Sequence, residues 1–337
     1  MGSLLKHEIS LRCPDCRLPI QDSSCPICKR KFTVRNKPYK NLLPSADLTG
    51  RTSEYAEMPQ LHENACKAVG AQKLLWDYDY IIEKTNLKLV NYLDRCKDLK
   101  VLEVGPGLGY LCHLFNKKYP ENTYCAVEYE RANLDYGLRV GFLQAAAFLS
   151  LGSIYSLPFE SEQFDLVILS EVLEHLCDLN TAVAEIRRVL KFKGGVIASV
   201  PNSLMYLYPY PILVTLLQSI HHLGERNDRK GFRLLVRRLR RLEDDNFDGR
   251  YHRPFLPSQF RSLFMRSGFK IVRHMSSKLT YFWDPFLSNF VIAHSKSPLG
   301  ILAARASIEI SDRVLDGRLP FFKLVGIRQH ILARKNA

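Results

Sequence analysis

The chain has 337 residues, 46% of them apolar, and a formal net charge of +14. This composition describes an ordinary soluble core, and the length exceeds one minimal domain and fits an enzyme domain with appendages. The charge is uneven: residues 1–200 carry 25 Lys+Arg against 24 Asp+Glu, so +1, and residues 201–337 carry 23 against 10, so +13. An acidic partner is therefore expected to meet the C-terminal part. The opening "MGSLLKHEIS" has no apolar core of a leader, so no export signal is expected there. The nearest approach to a membrane span, residues 204–220, contains Pro209, Pro211 and Gln218 and reads as a buried or interfacial segment.

Four of the nine cysteines fall in "CPDCRLPIQDSSCPIC": Cys13, Cys16, Cys25 and Cys28. Each C-x2-C pair sets two thiolates on one tight knuckle, and two knuckles complete a tetrahedron around zinc. Two disulfides are the competing arrangement, disfavoured in a chain with no expected export signal. All four positions are cysteine, so no site stays open for a catalytic water. The ribbon's expected role is folding or docking. Cys66, Cys96, Cys112, Cys125 and Cys177 are scattered and read as small buried apolar side chains.

A helical-looking region, 55–96, leads to "LKVLEVGPGLGYLCHLF". Residues 101–104 read as a short buried strand, Gly105, Gly107 and Gly109 as a tight turn, and residues 110–118 as a helix. Glycines at such a turn let the backbone approach a cofactor closely. A second strand, "TYCAVE", ends at Glu128, where a carboxylate suits ribose hydroxyls. "FDLVILS", a helix over 180–190 and "GGVIASV" continue an alternation that predicts an α/β, parallel-sheet fold.

"VLEVGPGLG", "YCAVE", "LPFESEQFDLVILSEVLEHL" and "EIRRVLKFKGGVIASVPN" resemble the class I S-adenosylmethionine-dependent methyltransferases, in particular the branch of ubiquinone-biosynthesis O-methyltransferases. The resemblance covers about residues 98–202. It implies a Rossmann-like seven-stranded sheet with the last strand antiparallel. It also implies that Glu103 and Gly105, Gly107 and Gly109 hold the methionine moiety, that Glu128 holds the ribose, and that Ser153 and Ile154 flank the adenine. An acidic residue is common in the family where this chain has Ser153. A dinucleotide-binding domain is the competing fold, but the loop lacks the G-x-G-x-x-G spacing. A non-catalytic adaptor on the same fold is a further alternative.

The segment "SEVLEHL" places Ser170, on the cofactor side, at the end of the fourth strand. Glu171, Glu174 and His175 follow, at the mouth where an acceptor should lie. They read either as the first turn of a helix, where carboxylates suit the macrodipole, or as functional groups. The family resemblance implies a divalent ion such as Mg on Glu171, Glu174 and His175 only; a downstream histidine would help complete the shell, and His252 in "GRYHRPFLPSQF" is the candidate by its place after the fifth strand. Without metal, His175 is the candidate base.

Between Arg226 and Arg241 stand eight basic residues and one acid, with Phe232, Leu235, Val236, Leu239 and Leu242 at helical spacing. This reads as a basic amphipathic helix: the solvated face of a cap, or a surface for anionic membrane, a lipid-linked substrate or RNA phosphates. The ribbon with "NLLP" is also similar to the start of 23S rRNA guanine-N1 methyltransferases, from which "SEVLEHL" departs. "PSQFRSLFMRSGFKIVRHMS" resembles the methyltransferase family's late helix and sixth strand, over 257–267, Gly268 as its cap and 269–274; 326–335 looks like the final strand, with a helical insertion expected over 281–320.

The expected organisation is a zinc ribbon (1–45), a helical extension (46–97), a cofactor core (98–202), a cap insertion with the basic helix (203–256) and a C-terminal completion of the sheet (257–337). The expected protein is a cytoplasmic methyltransferase, its basic part leaving room for placement at a membrane surface. Its expected acceptor is an oxygen on a small molecule, a lipid-linked molecule or a glycan, with RNA as the alternative.

Overall fold

A computed structural model describes residues 9–21, 23–48, 79–204, 253–277 and 328–336. The basic helix, the apolar segment 205–220, His252 and the insertion over 281–320 lie outside these residues.

The described elements run in chain order as follows. β1 (Lys40–Asn41) and a 3-10 turn (Ser45–Leu48) close the ribbon, and α1 (Asp79–Val90) follows. Then come β2 (Lys100–Val104), α2 (Tyr110–Lys118), β3 (Thr123–Glu128), α3 (Arg131–Arg139), β4 (Phe148–Leu151) and β5 (Phe164–Ser170). A 3-10 turn (Leu173–His175), α4 (Leu179–Val189), β6 (Leu190–Pro201), α5 (Pro257–Arg266), β7 (Phe269–Ser277) and β8 (Arg328–Lys335) complete the list.

The strands form one eight-stranded sheet in the order β1-β4-β3-β2-β5-β6-β8-β7. β2 to β6 pair in parallel, and β2 and β3 are buried along their whole length. Burial on both faces explains why these strands read as near-continuous apolar runs. Strand order reverses between β2 and β5, which makes their C-terminal ends the topological switch point where such sheets bind ligands.

The sheet has eight strands, not the expected seven. The extra one is β1, whose Lys40 and Asn41 pair in parallel with Ser150 and Leu151 of β4. The ribbon thereby adds a strand to an edge that would otherwise present unpaired backbone groups. Its own core is Cys13, Cys25, Phe32 and Leu42, with Leu11, Ile20 and Phe148 of β4 packed against it.

The chain divides into two compact units. The first comprises Met1–Ser199, Arg261–Arg273 and Ile331–Ala337, and the second Val200–Phe260 and His274–His330. In the first unit, Gly268 (φ 80°) ends the α5 turn as expected, and Phe264 meets Phe269 edge-on at 5.7 Å. The described part of the second unit is held by buried polar groups. The Gln329 amide donates to the Phe255 carbonyl at 2.6 Å, and Ser277 Oγ lies 2.7 Å from His330 Nε2.

Candidate functional site

The glycine loop sits at the switch point. Gly105, Gly107 and Gly109 have φ of 71°, 55° and 87°, the left-handed region in which a side chain costs about 1–2 kcal/mol. Two of them also lack room. A Cβ on Gly105 would stand 2.8 Å from Val172 Cγ2, and one on Gly109 2.4 Å from Leu143. Gly107 differs, because a Cβ there would meet nothing within 4 Å. Two glycines thus make the turn against packed neighbours, and the middle one borders open space.

Two buried carboxyls flank the loop. Glu103, 1% exposed, accepts a hydrogen bond from the Tyr124 hydroxyl at 2.7 Å. Burial, reinforced by the nearby Glu128, pushes its carboxyl up to about 8. Glu128 ends β3. Its Oε2 accepts from the Gly107 N–H at 2.8 Å, and its Oε1 from the Tyr129 and Glu130 N–H groups at 2.9 Å each. Burial raises it to about 7 even against these three donors. Glu128 is therefore tied to the loop backbone; Oε1 has both lone pairs engaged, and Oε2, with one bond, keeps capacity for a further donor.

The β4–β5 loop starts beside Glu128, whose carbonyl accepts from the Gly152 N–H at 2.9 Å. Ser153 and Ile154 follow and are nearly buried. The structure thus brings Glu103, the glycine loop, Glu128 and Ser153 together at the adjacent C-terminal ends of β2, β3 and β4. Leucine and glycine periodicity does not reveal Tyr124, Val172 and Asn86, which shape this region. Asn86, buried on α1, donates from Nδ2 to Ser170 Oγ at 3.0 Å, and Ser170 Oγ lies 3.3 Å from Ser199 Oγ. Asn86 stands among Lys84, Thr85 and Lys88 in α1, so its polarity gives no sequence signal for that contact.

Past β5, Glu171 takes a left-handed backbone (φ 55°), and its N–H donates to the Ser199 carbonyl at 3.1 Å. A non-glycine residue held there carries local strain, a feature that clusters at functional sites. Glu174 is 1% exposed, and its Oε1 lies 3.7 Å from His175 Nε2. The helix-start reading of these carboxylates is corrected. Glu174 and His175 belong to a three-residue 3-10 turn, and α4 begins only at Leu179. Asp178 is its N-cap, accepting from the Thr181 N–H at 3.0 Å.

Among the described residues, one group has the donor set for a metal ion: Cys13, Cys16, Cys25 and Cys28, with ligand atoms all within 4.8 Å of one another. Burial raises the Cys25 thiol, but the Cys28 and Ile27 N–H groups and the neighbouring thiols bring it down to about 7. Cys16 is pushed up to about 12, first by its hydrogen bond to Cys28. Four thiols this close cannot all ionise without a cation between them, which suits zinc. Glu171, Glu174 and His175 do not form such a group by themselves, and His252 lies outside the described residues.

Residues 102–198 match the family model described as a methyltransferase domain. An uncharacterized methyltransferase of Schizosaccharomyces pombe is 34% identical over 134 residues, which cover 37% of this chain and 46% of that protein. A malonyl-[acyl-carrier protein] O-methyltransferase of Hahella chejuensis is 29% identical over 99 residues, 29% of this chain and 35% of that protein. The chain thus spans about half the length or less of these relatives. Among solved structures, a complex of the Haloferax volcanii Trm112 methyltransferase activator with a putative methyltransferase matches with TM-score 0.51 at 10% identity. That match covers 86% of this chain and 100% of the other. The [4+2]-cyclase SpnF matches with TM-score 0.51 at 14% identity, covering 88% and 97%. The family match and the relatives support a class I S-adenosylmethionine-dependent methyltransferase domain, and the solved structures share its fold.

Proposed function

We propose that the protein transfers a methyl group from S-adenosylmethionine to an oxygen of a small-molecule, lipid-linked or glycan acceptor. The observation that carries the reading is the glycine loop at the switch point, closed by Gly107 N–H on Glu128 and open on the Gly107 side. Glu103 and the loop would hold the methionine end, Glu128 the ribose hydroxyls, and Ser153 with Ile154 the adenine, with Ser170 alongside. When bound, S-adenosylmethionine supplies a methyl already activated on a sulfonium. The chain's part is to align the acceptor, exclude water and take its proton.

On the acceptor side His175 is the proposed base, with the buried Glu174 Oε1 3.7 Å from its Nε2 and the left-handed Glu171 at the turn just before it. The acceptor hydroxyl would lose its proton to His175 as its oxygen takes the methyl. The malonyl-[acyl-carrier protein] O-methyltransferases among the relatives favour an oxygen acceptor. The +13 charge of residues 201–337 favours an anionic one, a lipid surface or, as the second reading, RNA. Zinc is proposed on the four cysteines.

Isothermal titration with S-adenosylmethionine tests the core of the proposal; no heat of binding at millimolar cofactor would sink it. Tritiated-methyl transfer into extract separated into lipid, RNA, protein and small-molecule fractions identifies the acceptor class. Label confined to RNA would replace the first reading with the second.

A further inference from the structure

The two cysteine knuckles do more than close a small core, because one of them is bonded to the cofactor end of the sheet. Pro14, between Cys13 and Cys16, accepts a hydrogen bond at its carbonyl from the buried Ser156 hydroxyl at 3.1 Å. The Ser156 N–H in turn donates to the Ser153 carbonyl at 3.1 Å. One residue before the knuckle, the Arg12 N–H donates to the Pro158 carbonyl at 3.1 Å, and Leu11 bridges to Phe159. At Asn41–Leu42 the ribbon meets the other end of the same loop: the Leu42 N–H donates to the Leu151 carbonyl at 2.9 Å. The loop 152–159 is held at both ends and in its middle by residues 11–14 and 42.

Charge reinforces this hold. Glu185 of α4 accepts from the Leu157 N–H at 2.9 Å and is flanked by Arg12 at 3.8 Å and Arg17 at 3.6 Å. Arg188 pairs with Glu185 and donates to the Phe159 and Leu157 carbonyls at 2.7 and 3.0 Å. The apolar cores are also continuous, since Phe148 packs on the ribbon and meets Phe159 at 5.7 Å, which meets Phe164 of β5 at 4.9 Å.

We propose that the zinc-loaded ribbon is the brace of the loop 152–159, so that metal binding by the four cysteines and cofactor binding beside Ser153 and Ile154 strengthen each other. The physical reason is that a knuckle without its metal has no fixed geometry. The Pro14 carbonyl and Arg12 amide then lose their positions, and the loop must be ordered at the cofactor's expense. This inference rests on the methyltransferase reading for the identity of the ligand, and on the bonds above for the brace itself. By linkage the coupling is reciprocal: the cofactor must tighten zinc by the factor that zinc tightens the cofactor.

The test uses the full chain, zinc-loaded and then depleted by chelator under reducing conditions, with S-adenosylhomocysteine as probe. Zinc loss is expected to raise hydrogen exchange of the 152–157 amides and the probe's Kd, each by about tenfold, while β5 amides keep their protection. Unchanged exchange and unchanged affinity after verified zinc loss would overturn the proposal. Should depletion also unfold β5, Ser156→Ala decides, since it leaves all four cysteines in place. It is expected to weaken the probe about threefold, the worth of one hydrogen bond, at full zinc content; wild-type affinity with wild-type exchange at 152–157 overturns the brace. A zinc-loaded chain that binds no probe would instead sink the methyltransferase reading, and the exchange result alone would still uphold or overturn the brace.

Discussion

At the scale of single residues, the three loop glycines divide by task. Gly109→Ala forces a Cβ to within 2.4 Å of Leu143 on top of its left-handed backbone, so it should destabilise by about 2 kcal/mol or more. Gly107→Ala has open space and should cost only the backbone term, about 1 kcal/mol, yet lose cofactor affinity because its methyl occupies the ligand side. Thermal melts and titrations of both variants check this; equal affinity loss in both would contradict it. Glu128 makes a second prediction. Burial sets its carboxyl at about 7, so it is largely neutral below that pH and ionised above it. Since the ionised form is the better acceptor for ribose hydroxyls, cofactor affinity should rise as pH increases through about 7. Glu128→Gln should bind about tenfold more weakly at alkaline pH and show a flatter profile. For Glu103, raised to about 8, the sign concerns stability. The protonated form suits the buried site, so its contribution is present at acid pH and lost as pH rises through about 8. Glu103→Gln should flatten that decline in the melting temperature.

At the scale of elements, the core strands were legible because a strand buried on both faces is written as an unbroken apolar run. Thr123–Glu128 and Phe164–Ser170 coincide with "TYCAVE" and "FDLVILS". β4 was not legible. Its four residues, FLSL, are too short for periodicity to register, and their pairing with both β3 and β1 is what makes them a strand. The helix after β5 was legible, read over 180–190 and found at Leu179–Val189, but the separate turn before it was not. Glu171 and Glu174 look like a favourable first turn, yet Asp178 captures the Thr181 N–H and fixes the helix four residues beyond Glu174. Asp178→Ala should therefore cost about 1 kcal/mol of stability in chemical denaturation. A variant as stable as the parent would show that the cap contributes nothing there.

At the scale of the whole molecule, charge is the property that local structure does not carry. The excess of +13 over residues 201–337 against +1 over residues 1–200 predicts binding to vesicles containing anionic lipid, or to RNA, that weakens steeply as salt rises. Retention insensitive to salt would remove an electrostatic contact surface. Among the described residues no helix is long and apolar enough to cross a membrane. The sequence by itself determined what depends on near neighbours: four cysteines spaced for two knuckles, three glycines after a buried strand, acids at strand ends and the alternation of strand and helix. Only the tertiary structure decided that β8 lies between β6 and β7, that the ribbon supplies an eighth strand, that Glu171 is left-handed, and that Pro14 meets Ser156. Each of these depends on which distant edges and loops come together. That choice is made by burial and backbone pairing across the whole sheet, and a local pattern holds no record of it.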